Sequence, residues 1–149
     1  MEISVFVEIN RPVPQVWDAI IDFKNCSNYM ESITEIKVLE EPKDTLVGFK
    51  WIETRVMFGK EATETMWITD YTENQFYQTR AESHGSVYVS KLTVAPSGEF
   101  TKLSMSLTTK AQTLPVKIFS TCLGFLFKSP MKKALLKDLN DIKTYLESK

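Results

Sequence analysis

The last part of the chain carries the pattern that most limits its fold. Between residues 131 and 147, apolar side chains recur at intervals of four, three and four residues, at Leu135, Leu139, Ile142 and Leu146. This spacing is typical of one face of an α-helix. Charged residues occupy the opposite face: Lys133, Lys137, Asp141, Lys143 and Glu147. A long amphipathic helix that follows a run of strands has to bury its apolar stripe, so we expect it to pack on a sheet.

Alternating apolar and polar residues predict that sheet. The predicted strands cover residues 2–10, 33–39, 47–58, 60–69, 75–83, 86–95 and 100–112. A short helix that begins at Pro14 and ends near Phe23, followed by a helical turn, separates the first two strands. The later connections are too short for a parallel crossover, so the sheet should be antiparallel. The expected fold class is therefore α+β, in a single domain spanning residues 1–149.

Pro130 predicts a break in the C-terminal helical region, because proline lacks the N–H that a helix interior needs. The preceding segment, Leu114–Phe127, would then be a separate and unusually apolar helix. One interpretation is that this helix packs over one end of the sheet. The other is that it forms a lip that makes transient contact with a membrane, with Phe119, Phe125 and Phe127 inserted and nearby lysines on anionic headgroups.

Bulk properties exclude several classes of function. The 18 basic and 19 acidic residues leave a net charge of −1, whereas a nucleic-acid-binding domain carries a strong basic excess. The N-terminal residues lack the basic start and apolar run of a signal peptide. No apolar run reaches the roughly 18 residues of a membrane span. Cys26 and Cys122 are far apart in the sequence and fit reduced thiols, so we expect a cytoplasmic protein. Because of the balanced charge, we expect no nucleic-acid partner.

The sequence contains no motif that binds a metal or a phosphate. No set of histidine, cysteine, aspartate and glutamate has the spacing of metal ligands, and no glycine-rich phosphate loop is present. We therefore expect neither a metal nor another cofactor.

A hairpin at Gly59 brings charged residues together in one of two registers. If residues 58 and 59 form the turn, Glu53 pairs with Glu64 and Trp51 pairs with Met66, so these side chains share a face with Arg55. Arg55 would then lie between the two glutamates, on the polar floor of an apolar pocket. A shift of one residue would instead place all three charges in solvent.

Three groups of residues match a known superfamily. They are Pro12-Val13-Pro14-Gln15-Val16-Trp17 followed by Ile20, Asp22 and Phe23; Val47-Gly48 followed by Trp51 and the Gly59 hairpin; and residues 131–147 with Leu139, Ile142-Lys143 and Tyr145-Leu146-Glu147. With these landmarks the chain resembles the START-like, or SRPBCC, helix-grip superfamily, which includes polyketide cyclase/dehydrase-like and Bet v 1-like proteins. The resemblance implies a curved antiparallel sheet of about six to seven strands around a long C-terminal helix.

A helix gripped by a curved sheet implies a cavity, and a cavity without a convincing catalytic set favours a carrier or sensor over an enzyme. The expected guest is an apolar small molecule, such as a lipid, a quinone or a polyketide-like compound. The residues expected to line the cavity are Trp51, Glu53, Arg55, Glu64, Met66, Tyr88, Leu103, Met105 and Leu135.

Two alternative functions follow from the same resemblance. The first is an enzyme of the polyketide cyclase or dehydrase type, in which Glu64 or His84 moves protons. His84 is the only histidine, and its position beside Gly85 equally fits a loop residue without a chemical role. The second is a partner-binding module like the Hsp90-activator branch, in which the outer face of the sheet matters more than the cavity.

Overall fold

The computed structural model describes the backbone of residues 2–57, 59–83, 86–111 and 114–149, and the side chains of residues 2–56, 59–82, 86–110 and 129–149. The elements, in chain order, are β1 (Glu2–Ile9), α1 (Val13–Ile20), a 3₁₀ turn (Cys26–Asn28), β2 (Ile33–Glu40), β3 (Lys50–Met57), β4 (Lys60–Thr72), β5 (Phe76–Ser83), β6 (Ser86–Ser97), β7 (Phe100–Ala111) and α2 (Leu114–Glu147).

The strands of the described residues form a seven-stranded antiparallel sheet in the order β1-β7-β6-β5-β4-β3-β2. From β2 to β7 each strand pairs with the next one along the chain, as short hairpin connections require. The segment with α1 and the 3₁₀ turn carries the chain from β1, at one edge, to β2, at the other. The predicted α+β helix-grip architecture is confirmed.

The core lies between the sheet and α2. Burial alternates along β1, where the apolar residues of the sequence pattern are the buried ones. Helix α2 packs mainly against β1 and β7. The four residues of its apolar stripe, Leu135, Leu139, Ile142 and Leu146, are all buried in the core. The stripe predicted from the sequence therefore faces the sheet.

The predicted break at Pro130 is wrong, because α2 runs without interruption from Leu114 to Glu147 with Pro130 inside it. A proline removes a single backbone N–H, and the hydrogen bonds of the turns on either side preserve the helix. The membrane-lip interpretation depends on the side chains of Leu114–Phe127. These lie outside the described side chains, so the interpretation stays a prediction.

Strand β6 continues through Pro96 to Ser97, two residues beyond its predicted end. The pairing of β6 with β5 stops at Thr93, whereas its pairing with β7 continues through Pro96 and Ser97. Pro96 therefore lies where the strand has a neighbour on one side, a position at which a missing N–H is tolerated. The turn itself is made by Gly98, whose positive φ of 62° suits glycine.

Candidate functional site

The β3–β4 hairpin has the register that brings the charged residues together. Trp51 pairs with Met66, Glu53 with Glu64, and Arg55 is opposite Ala62. Trp51 is 3% exposed, so this face of the hairpin is the inner face of the sheet. The predicted register is confirmed, and the alternative shifted by one residue is wrong.

A cavity of about 300 Å³ lies between the inner face of the sheet and α2. Its walls come from α1, the 3₁₀ turn and the loops around it, strands β2 to β7, and the second half of α2. The lining residues are Ile20, Phe23, Cys26, Tyr29, Met30, Ile33, Trp51, Glu53, Arg55, Ala62, Glu64, Met66, Tyr77, Thr79, Tyr88, Ser90, Leu92, Met105, Leu107, Met131, Leu135, Asp138, Leu139 and Ile142. This volume is at the lower end of the range found for small-molecule sites, about 300–1,000 Å³.

Aromatic rings form one wall of this cavity. The ring of Phe23, after α1, stacks on Trp51 with centroids 4.8 Å apart and an interplanar angle of 18°. The same ring meets Tyr77 edge to face at 5.3 Å. Each contact joins the segment after α1 to the sheet, and such pairs are favourable beyond the area they bury. The wall is thus held in place by packing that does not depend on a guest.

A partly buried cluster of three charged residues lies at the cavity surface and is called here the Arg55 cluster: Glu53, Arg55 and Asp138. Arg55 Nε donates to Glu53 Oε2 at 3.1 Å, and Arg55 Nη1 donates to Asp138 Oδ2 at 2.8 Å. Two neutral groups donate to the remaining carboxylate oxygens. Ser32 Oγ donates to Asp138 Oδ1 at 2.7 Å, and Trp51 Nε1 donates to Glu53 Oε1 at 3.4 Å. Buried charges need partners of this kind.

Asp138 is the member that the sequence analysis missed. The bonds of Arg55 go to Glu53 and Asp138, whereas the predicted second partner, Glu64, lines the same cavity from β4. Asp138 is 2% exposed. It lies three residues after Leu135 and four before Ile142, which places it on the buried stripe of α2. An acidic residue at a stripe position was therefore a usable signal for a buried charge.

The carboxylates keep the guanidinium of Arg55 charged despite its burial. Burial by itself would lower the pKa of Arg55, but Asp138 and then Glu53 more than offset that effect, so its pKa is raised above its ordinary value. The cluster therefore contains one positive charge between two carboxylates.

Weakly acidic groups in the cavity wall are held in their neutral form. Burial, together with the nearby charge of Glu53, raises the pKa of the Cys26 thiol to about 12. Burial likewise raises the pKa of the phenols of Tyr29 and Tyr77 above the ordinary value. Cys26 is consequently a poor nucleophile at neutral pH, since the reactive species is the thiolate.

This thiol should react slowly in the folded protein. In a Cys122→Ser background at pH 8, we expect iodoacetamide to alkylate Cys26 at least about a hundredfold more slowly in the folded state than in 8 M urea, because a raised pKa leaves little thiolate. Mass spectrometry of quenched samples measures the two rates. Equal rates in buffer and in urea would contradict the burial of this thiol.

A second polar group is provided by β4, β5 and β6. Glu64 and Tyr88 both line the cavity. Burial raises the pKa of Tyr88, and the charge of Glu64 adds to the effect while a hydrogen bond with Ser86 opposes it. The hydroxyls of Thr79 and Ser90, which face each other across β5 and β6, are hydrogen-bonded to one another. This side of the cavity offers neutral hydroxyls beside a carboxylate.

The structure brings most of the predicted lining residues to one cavity. Eight of them are among its walls: Trp51, Glu53, Arg55, Glu64, Met66, Tyr88, Met105 and Leu135. Leu103 shares the inner face of β7 with Met105 but is fully buried in the core, and the β7 lining comes from Met105 and Leu107. His84 lies outside the described residues. The sequence analysis did not predict the contributions of Phe23 and Tyr77, although their aromatic character marked them as core candidates.

The comparisons with known proteins agree with this geometry. The family model described as polyketide cyclase / dehydrase and lipid transport matches residues 1–147. The chain belongs to that family. No curated protein matches its sequence at a significant level.

Solved structures share the fold at low sequence identity. The protein TTHA0849 of Thermus thermophilus has a TM-score of 0.82 at 17% identity, covering 99% of this chain and 98% of its own. A START superfamily protein of Mycobacterium smegmatis has a TM-score of 0.82 at 17% identity, with coverages of 99% and 97%. The Zhui aromatase/cyclase of Streptomyces sp. R1128 has a TM-score of 0.77 at 12% identity, with coverages of 99% and 93%. At such identities these likenesses establish the fold.

Two kinds of feature are absent from the described residues. In that part of the chain no helix is long and apolar enough to cross a membrane. Nor do histidine, cysteine, aspartate and glutamate side chains gather there in threes that would suit a metal ion.

Proposed function

We propose that this member of the family binds and carries an apolar small molecule, such as a lipid, a quinone or a polyketide-like compound, in the cavity between sheet and α2. The observation that carries the proposal is a cavity of about 300 Å³ with aromatic and aliphatic walls and a small number of polar groups. Pockets of this composition bind apolar molecules through their walls and orient them through the few polar groups. The family description, which includes lipid transport, supports the same class of guest.

A cyclase-type enzyme is the second candidate, and the pair of Glu64 and Tyr88 favours it. Both residues line the cavity, and burial together with the charge of the Glu64 carboxylate raises the pKa of the Tyr88 phenol. A carboxylate and a phenol beside a bound polyketide could exchange a proton with it, which is general acid–base chemistry. The fold shared with an aromatase/cyclase makes such a substrate reasonable. Glu64→Gln and Tyr88→Phe would then abolish turnover of a poly-β-ketone while leaving its binding in place.

Binding is tested with a neutral fluorescent probe, N-phenyl-1-naphthylamine. We expect micromolar affinity, worth about 8 kcal/mol, with a rise in emission as the probe leaves water. Met105→Trp should weaken binding at least about tenfold, because Met105 lines the cavity and the larger indole narrows it.

Ser106→Trp is the matched control. Ser106 follows Met105 on β7, so its side chain points to the opposite face of the sheet, where it pairs with Ser4 and Lys91. This variant should bind the probe as the wild type does. If neither the wild type nor the control binds the probe or any component of an apolar extract of host cells, the carrier function is wrong. That result would support the partner-binding alternative. If both tryptophan variants lose binding equally, the probe binds outside the cavity.

A further inference from the structure

We propose that the cavity selects guests by the charge of their polar end, binding an ammonium-ended amphiphile more tightly than the carboxylate of the same length. This inference rests on the proposed function and concerns the same cavity. It follows from the charges of the Arg55 cluster and from the rings that surround it.

The Arg55 cluster has a formal charge of −1, because one guanidinium lies between the carboxylates of Glu53 and Asp138. Both ion pairs are direct, at 3.1 and 2.8 Å, and Arg55 is the one cationic side chain among the lining residues that the structure describes. Glu64, which pairs with Glu53 across β3 and β4, lines the same cavity. The formal charge of −1 counts only the three residues of the Arg55 cluster and does not include Glu64. A guest therefore enters a cavity whose polar end is negative and poorly exposed to water, where charge effects are stronger than in solvent.

The hydrogen-bonding capacity of the cluster also favours a cationic guest. Each oxygen of Glu53 and Asp138 accepts one bond, from Trp51, Arg55 or Ser32. A carboxylate has about four acceptor sites, so each retains capacity for donors on a guest. An ammonium group has three donors and no acceptor, so it can donate hydrogen bonds to the remaining acceptor sites of these carboxylates.

Aromatic side chains provide a second attraction for a cation. Phe23 packs against both Trp51 and Tyr77, and the three rings line the cavity together with the cluster. Trp51 also contacts Glu53 directly through its indole N–H. A cation within about 6 Å of an aromatic face is attracted by the negative face of the ring. An anion gains nothing from these rings.

A carboxylate guest would have to compete for a guanidinium that is already paired twice. It would become a third negative charge beside Arg55, with Glu53 and Asp138 both within direct contact of that residue. The N–H groups of Arg55 that are not used in these two bonds can still meet a neutral carbonyl oxygen. The cluster therefore accepts cationic and neutral ends and disfavours anionic ones.

The experiment compares decylamine, decanol and decanoic acid as competitors of bound N-phenyl-1-naphthylamine at pH 7.5, where the first is a cation and the last an anion. We expect the amine to bind at least tenfold more tightly than the acid, a difference of about 1.4 kcal/mol, with the alcohol between them. Equal affinities, or tighter binding of the acid, would overturn the inference while leaving the carrier function intact. Failure of the probe and of all three compounds to bind would count against the carrier function itself.

Glu53→Gln then identifies the source of the selectivity. This change makes the Arg55 cluster neutral, so the amine-to-acid preference should fall about tenfold, while decanol should bind nearly as before. Glu82→Gln is the matched control, since Glu82 also pairs with an arginine on its own strand but is exposed. It should leave the preference unchanged. An unchanged preference in a folded Glu53→Gln protein would locate the selectivity elsewhere, and the wild-type ratio decides the inference even if that variant does not fold.

Discussion

Leu139→Asp should lower the free energy of unfolding by about 4 kcal/mol, a large part of the stability of a typical domain. Leu139 is 0% exposed and lies in the middle of the α2 stripe that packs on the sheet. An aspartate there would bury a charge without a cation and leave part of the leucine volume empty. Urea denaturation followed by circular dichroism measures the loss.

Leu136→Asp is the matched control on the same helix. Leu136 is 36% exposed, so an aspartate there can keep its charge in water, although the packing of the covered part of the leucine is lost. We expect a loss of about 1 kcal/mol, well below that of Leu139→Asp. Similar midpoints for Leu139→Asp and wild type would show that α2 does not pack on the sheet through this stripe.

Arg55→Ala should cost about 3–5 kcal/mol at neutral pH, the range expected when one partner of a buried ion pair is removed. The substitution leaves Glu53 and Asp138 without the cation that contacts both of them. Ser32 and Trp51 would remain as neutral donors, but they cannot balance two negative charges. The large effect therefore comes from uncompensated charge in addition to lost packing.

The loss should become smaller as the pH falls. Burial and mutual repulsion favour proton uptake by the folded variant, whereas the unfolded chain keeps both carboxylates ionised at the same pH. When the folded state binds more protons than the unfolded state, the free energy of unfolding rises as the pH is lowered. Denaturation at pH 7.5 and pH 5 should thus show a narrower gap between variant and wild type at pH 5.

Arg80→Ala is the control for the loss of an arginine from a strand. Arg80 pairs with Glu82 two residues along β5, as Arg55 pairs with Glu53 on β3, but its side chain is 38% exposed. An exposed pair contributes about 0–1 kcal/mol, so a small loss at both pH values is expected. Equal losses from Arg55→Ala at both pH values would contradict the coupling of the buried charges.

The Arg55 cluster joins three parts of the fold around the cavity. Glu53 and Arg55 belong to β3, Asp138 to α2, and Ser32 to the segment before β2. Buried ion pairs are often no more stabilising than the apolar residues that could replace them. A role in stability alone is therefore a weak reason for the position of the cluster on the cavity wall, whereas the proposed binding of the polar end of a guest would explain it.

Apart from the wrongly predicted break at Pro130, the sequence alone was sufficient for the architecture. The alternation of β1 and the apolar stripe of α2 indicate which residues are buried. Side chains return to the same face every two residues along a strand and about every 3.6 residues along a helix. Gly59 marked the β3–β4 turn, and that turn pairs Trp51 with Met66 and Glu53 with Glu64. Much of the inner face of this hairpin was thus readable before the fold was known.

Only the tertiary structure decided which register was real and which charges meet. Two registers one residue apart fitted the hairpin, and the packing of Trp51 against Phe23 identifies the inner face. Asp138 is 83 residues from Arg55 in the chain, so no local pattern could pair them. Sequence periodicity reports the orientation of a side chain relative to its own element, whereas a buried ion pair depends on where distant elements come together. The fold was therefore predictable from local patterns, and the polar end of the cavity was not.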